Sequence, residues 1–301
     1  MRGGCVGTRD RVVLFDIVRV IGVSLVVLAH IFQTLGLPAG DAFGIRGFYY
    51  VTIGGLGVTL MLVLSGASLE YAYGGRPRLG AGFMWRRATR IYPTYWLGIL
   101  VSVLLSGTSA LGGRSALTLA LDFSGLLVFT GHPWADYLLP MGWFVGVIVA
   151  MYALFPAISV LLKRNPRWTL VGLAVVSIVS RVVVGRVLPD ARAIDWFPLC
   201  RVFEFGIGAW AVLGASRLRR IRMCCAGITG GAARAWSGAA NLSFPVFIVH
   251  YPLLQPLLHP QDSNTMFHVA GFLAGTTVLA YVVLQADRML QRHLRPRAAR
   301  V

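Results

Sequence analysis

Apolar residues fill long stretches of this chain, and polar ones gather in short stretches between them. Runs at about 12–35, 48–72, 91–106, 142–162, 168–188, 196–215, 241–259 and 266–287 have the length and composition to cross a hydrocarbon core of ~30 Å as helices. Two weaker segments, about 115–131 and 223–239, are short or rich in Gly and Ala. The pattern predicts an all-α fold: a polytopic transmembrane helix bundle of about 10 membrane segments, eight strong spans plus two short or re-entrant pieces. The polar stretches are too short to hold a soluble domain, and no internal repeat stands out. Domain organisation follows directly: a short segment over 1–11, one membrane domain over 12–290, and a basic tail over 291–301.

Composition sharpens this. The chain is 56% hydrophobic and 13% charged, against roughly a quarter charged in a soluble domain. Its formal charge of +17 does not imply a nucleic-acid partner, because the basic residues are nearly all Arg and sit in short loops, where they orient a membrane protein. Arg2, Arg9 and Arg11 precede the first span. Arg76, Arg78, Arg86, Arg87 and Arg90 follow the second, and Lys163, Arg164 and Arg167 follow the fourth strong one. Two more clusters, Arg217 to Arg222 and the tail, complete the set. Both termini are expected in the cytoplasm. All five clusters lie inside only if the two weak segments do not cross fully; ten full spans would move the third and fourth outside. No cleavable signal peptide is expected, since the N-terminus leads straight into a full-length apolar run. Cys5, Cys200, Cys224 and Cys225 lack metal-ligand or C-x-x-C spacing, and no metal is implied.

Several spans carry ionisable residues, which are costly in lipid and mark candidate functional positions. Asp16, Arg19 and His30 share the first span. Arg19 and His30 are eleven residues apart, which returns to within ~20° of one helix face, three turns and roughly 16 Å along it. A snorkelling Asp16–Arg19 pair and a single interhelical hydrogen bond from His30 would account for them as well as chemistry would. Further along come Arg87 and Arg90 in "WRRATRIYPTYW", Trp143 in "GWFVGVIVAMYALFP", Arg201 and Glu204 in "RVFEFGIGAW", and His250 in "NLSFPVFIVHYPLL". Arg201 and Glu204, spaced i, i+3, are placed to pair.

In this order these stretches resemble the acyltransferase family 3, integral membrane enzymes that transfer acyl groups, usually acetyl, to hydroxyls of extracytoplasmic glycans. Asp16, Arg19 and His30 match the family's first-span D-x-x-R and R-x10-H elements, although Val20-Ile21-Gly22 departs from the usual Gly after the Arg. Arg86, Arg87, Arg90, Ile91, Pro93, Tyr95 and Trp96 match its "RRxxRIxPxYW" signature. Arg201, Glu204 and Phe205 match a third element, and Ser243, Phe247, His250, Leu253 and Leu254 a fourth. The mid-chain run 142–156 keeps an aromatic entry and a Tyr/Pro end but lacks the Glu many members carry there. The short C-terminal tail predicts no fused extracytoplasmic domain.

The resemblance implies a membrane O-acyltransferase that moves an acyl group, most often acetyl, from cytoplasmic acetyl-CoA to a cell-surface glycan or lipid-linked sugar. It places the enzyme in the plasma (cytoplasmic) membrane, with membrane lipids around it. It casts His30 as base or acyl relay, with Arg19 and Asp16 as catalytic partners, and Arg87 and Arg90 as donor-binding residues. Trp143, Arg201, Glu204 and His250 become cavity or substrate residues. A sugar hydroxyl needs a positioned base to attack a thioester, and imidazole suits it. Planar guanidinium groups suit the donor's phosphates. The alternative reading of the same intramembrane charges is a transporter or flippase for a glycan precursor, which would more often show repeats and paired broken helices.

Overall fold

The computed structural model describes residues 12–37, 52–74, 80–107, 111–133, 136–188, 191–214, 228–258 and 264–294. Among them every regular element is helical: α1 (Val13–Thr34), α2 (Ile53–Tyr73), α3 (Ala81–Ser106), α4 (Ala116–Phe123), α5 (Gly142–Arg164), α6 (Pro166–Val187), α7 (Val202–Ala211), α8 (Gly230–Leu257) and α9 (Thr265–Leu294), with short 3-10 turns between. The segment 1–11, Arg76, Arg78, Arg217 to Arg222, Cys5, Cys224, Cys225 and tail residues 295–301 lie outside the described residues.

Among the described residues six helices, α1, α2, α3, α5, α6 and α9, are long and apolar enough to cross a membrane. They correspond to six of the eight strong runs. α3 begins ten residues before its apolar run, because Arg86, Arg87 and Arg90 are carried on its first turns rather than in a loop. The expected span 196–215 is different. It resolves into 3-10 turns at Ala191–Asp195 and Pro198–Arg201 followed by the ten-residue α7. Pro198, without an N–H, opens the second turn, and Gly214 at φ +94° follows the helix. Ten residues rise only about 15 Å, half a hydrocarbon core. The weak run 115–131 likewise becomes the eight-residue α4 and a 3-10 turn at Leu126–Phe129, too short to cross. The described part of 223–239 merges with the run from 241 into α8, a 28-residue helix carrying Pro245, Pro252 and Pro256.

The helices close a ring in which each packs on the next: α1, α2, α7, α6, α5, α3, α8 and back to α1, with α9 outside against α8 and α3. Close approach within the ring depends on residues without a side chain, as is usual where helices pack in lipid. A Cβ on Gly66 of α2 would overlap the carbonyl oxygen of Phe205, and one on Gly208 of α7 would overlap that of Val63. This lets the short α7 lie directly on α2. By contrast α6 turns Val171, Val175, Ile178 and Val182 outward, an apolar face suited to lipid.

Candidate functional site

A cavity of about 150 Å³ opens where α1 ends, α2 and α5 begin, and the 3-10 turn at Ala191–Asp195 meets the second half of α8. His30, Gln33, Thr52, Trp143, Asp195 and Trp196 line it, with Phe247 and Tyr251 from α8. The indoles of Trp143 and Trp196 face each other at 6.4 Å between ring centroids. His30 meets the edge of Tyr251 at 5.2 Å. Its Nδ1 lies 3.0 Å from Nε2 of His250, a fully buried residue 220 positions later in the chain. The Nδ1 of His250 in turn lies 2.9 Å and 3.1 Å from the carbonyl oxygens of Phe247 and Val246 in its own helix.

The chain that brings Met141 and Trp143 to the cavity is held by a clasp between α3 and the segment that follows it. Tyr92 donates its hydroxyl to the carbonyl of Ser124 at 2.7 Å, Tyr95 to that of Asp122 at 2.6 Å, and the indole N–H of Trp96 to that of Phe123 at 3.0 Å. These three aromatic residues therefore supply donors to the carbonyls at the end of α4, of which that of Asp122 also accepts the N–H of Gly125 at 2.8 Å. Asp122 closes the loop: its buried carboxylate accepts the backbone N–H of Leu138 at 2.6 Å, and Ser102 donates to the Leu138 carbonyl at 2.5 Å. Burial holds the Asp122 carboxyl above its ordinary range, with the Leu138 N–H and the Tyr95 hydroxyl working against that. The chain from 136 to 141 is thereby pinned, and it delivers Met141 and Trp143 to the cavity.

The other ionisable residues lie elsewhere. Asp16 is buried and pairs with Arg19 at 3.9 Å; along α1 they lie roughly 21 Å and roughly 16 Å from His30. Arg87 is enclosed by aromatic rings: its guanidinium lies 4.9 Å from the ring of Tyr73, 5.9 Å from Phe83 and 5.8 Å from Tyr152, and donates to the Tyr73 hydroxyl at 2.6 Å. Tyr73 ends α2 whereas Gly54, on the cavity, begins it. Nineteen helical residues separate them, so Arg87 and His30 stand roughly 28 Å apart along the bundle. Arg90 is exposed on α3 and interacts with Asp287 of α9. Near the Arg87 end, Lys163 of α5 pairs with Glu70 at 3.5 Å and donates to the Gly74 carbonyl.

Arg201 and Glu204 form their i, i+3 pair at 3.6 Å. Arg181 of α6 reaches the same carboxylate oxygen at 3.7 Å, and Arg201 donates to Thr59 of α2 at 3.3 Å. This network ties α2, α6 and α7 together behind the cavity. Neither Arg201 nor Glu204 is among its lining residues. Asp195 interacts electrostatically with Arg181 and so connects network and cavity.

Of the lining residues, Gln33, Thr52, Asp195, Trp196 and Tyr251 did not emerge from sequence reasoning, and neither did the Arg181 bridge. Asp195 and Trp196 adjoin an apolar run, and nothing local distinguishes them from a span boundary. The one available signal for Arg181 was a lone charge inside an apolar helix. Among the described residues no three His, Cys, Asp or Glu side chains converge as metal ligands.

A family model described as an acyltransferase domain, of the acyltransferase 3 type, matches residues 12–223. That span contains Asp16, Arg19, His30, Arg87, Arg90, Trp143, Arg201 and Glu204, and stops short of α8 and His250. No curated protein and no solved structure matches the chain.

Proposed function

The chain belongs to the acyltransferase 3 family and is a membrane acyltransferase, and from that premise we propose that His30 is its catalytic group, serving transfer of an acetyl group from acetyl-CoA to a hydroxyl of a cell-surface glycan or lipid-linked sugar. The observation that carries this reading is the placement of His30: an imidazole on the wall of a cavity, with one ring nitrogen held by His250. That leaves Nε2 as the atom that works.

In direct transfer the acceptor O–H gives its proton to Nε2 as the oxygen attacks the thioester carbonyl. The C–O bond forms, the C–S bond breaks, and the departing thiolate takes the proton from Nε2. In a relay, Nε2 itself first displaces the thiolate; the acceptor oxygen then forms the C–O bond as the C–Nε2 bond breaks, and the acceptor's proton passes by way of the freed Nε2 to the departed thiolate. The same nitrogen serves both routes.

The cavity's chemistry suits a polyhydroxylated acceptor. Trp143 and Trp196 offer apolar faces for a sugar ring, and Asp195, Gln33 and Thr52 offer hydrogen-bonding groups around it. Donor phosphates fit the other end of the bundle, at Arg87 and Arg90, where guanidinium groups match them. In this reading that end faces the cytoplasm of the plasma membrane, both termini lie there too, and the donor's long acyl-bearing arm runs through the bundle towards His30.

Purified protein in detergent, given a panel of acetyl-, succinyl- and longer acyl-CoA with a neutral polysaccharide acceptor, tests the substrate assignment. Thiol release is expected to be greatest with acetyl-CoA and to depend on the acceptor. Folded protein that releases no thiol from any donor would contradict it.

A further inference from the structure

The hydrogen bonds around His250 fix which nitrogen of His30 carries the proton. Carbonyl oxygens only accept, so the Nδ1 of His250, 2.9 Å from the Phe247 carbonyl and 3.1 Å from that of Val246, is a donor. In the neutral ring its Nε2 then bears the lone pair. The ring nitrogen facing that lone pair at 3.0 Å, Nδ1 of His30, must supply the hydrogen. His30 is therefore an Nδ1–H tautomer with its lone pair on Nε2. Free histidine prefers the opposite tautomer, which would point a hydrogen, not a lone pair, from Nε2.

From this geometry we propose that His250 is a positioning residue that holds His30 in its Nδ1–H tautomer, so that Nε2 is the basic or nucleophilic nitrogen of the cavity. The proposal rests on the catalytic reading of His30 above and adds a role outside the part of the chain that the family model matches. The Nε2 lone pair of His250 here does what a carboxylate does for the histidine of a serine-protease triad, where the wrong tautomer costs on the order of 10⁴ in kcat. The difference is that the fixing group is neutral and is itself oriented by its own helix. Two neighbouring contacts hold it in place. Phe247 and Tyr251 flank the His250 ring at 6.1 Å and 6.3 Å between centroids, and no surface of His250 remains exposed.

Two variants and one spectrum test it. His250→Gln keeps an acceptor oxygen at the reach of Nε2; His250→Phe keeps a planar ring and removes the acceptor. In the full-length protein in detergent, His250→Phe is expected to lower kcat about 100- to 10,000-fold with the donor KM within about twofold of wild type, and His250→Gln to recover at least about a tenth of wild-type kcat, since it restores the accepting partner. Nitrogen-15 NMR of histidine-labelled protein, with His30→Ala to assign the signal, is expected to report Nδ1–H for His30 in the wild type and in His250→Gln, and Nε2–H in His250→Phe. Should His250→Phe not fold, the spectra of wild type and His250→Gln still decide. A wild-type His30 in the Nε2–H form, or His250→Phe with unchanged kcat, would overturn the proposal. The spectrum needs no substrate. Absence of acyl-CoA turnover would thus count against the proposed reaction, whereas the wrong tautomer would count against His250.

Discussion

A histidine inside a membrane bundle has to find its hydrogen-bond partner in the protein, and His30 finds a second histidine rather than a carboxylate. Asp195 shares the cavity, and the carboxylates of Asp16, Glu70 and Glu204 pair with basic side chains. Glu204 holds two arginines, and at least one of those, Arg201, is fully buried. Removing one partner of such a group leaves uncompensated charge, which costs on the order of 3 kcal/mol. Glu204→Gln is therefore expected to lower thermal stability by about that amount while the surviving folded protein keeps its donor KM, as a melting curve and a kinetic titration would show. Arg87 and Arg90 divide in the same way. Arg87 is clasped by Tyr73, Phe83 and Tyr152, and each desolvated cation–π contact is worth up to about 2 kcal/mol. Arg87→Ala should therefore reduce both stability and donor affinity. Arg90→Ala, at an exposed position, should raise the donor KM with little change in melting temperature. Equal melting losses in the two variants would contradict this division.

At the scale of elements, the clasp on α4 holds the chain that leads to Met141 and Trp143 of the cavity. Asp122→Ala removes the acceptor for the Leu138 N–H and leaves a buried donor unpaired, at about 1–3 kcal/mol. Asp122→Asn keeps an accepting oxygen and removes the cost of ionising a buried carboxyl, so its melting temperature is expected to stay close to wild type. Packing of α7 on α2 sets a second condition: Gly66→Val places a side chain where the Phe205 carbonyl lies, and the variant is expected not to reach the folded, detergent-stable state.

These elements also mark how far the sequence could be read. The six long spans were legible because hydropathy alone defines them, and the Arg201–Glu204 pair because a helix fixes i, i+3 neighbours. The start of α3 was not, since arginines on a helix's first turns look like a loop. Nor was the break at Pro198, because an apolar composition cannot distinguish one long helix from two turns and a short one. The His30–His250 contact joins residues 220 positions apart, and only the ring of packed helices brings them together. Tyr92, Tyr95 and Trp96 stood in a recognisable motif, but their work as a clasp depends on a loop that the motif does not contain.

For the whole molecule, the two ends of the bundle differ in chemistry. One holds Arg87, Glu70 and Lys163; the other holds the aromatic cavity with His30 and Asp195. In the proposed orientation, argued from the positive clusters, the first end faces the cytoplasm. In a background without the native cysteines, a single cysteine at Gln33 is expected to react with an impermeant thiol reagent added outside intact cells. One at Arg164 is expected to react only after permeabilisation. The reverse pattern would invert the orientation and separate the acceptor cavity from the cell surface.

The central claim is that His30 performs the chemistry, and acetyl-CoA turnover by purified wild type beside His30→Ala, with matched melting curves, tests it most directly. A loss of about 100- to 10,000-fold in kcat with an unchanged fold is the predicted result. Equal turnover by the two folded proteins would contradict it.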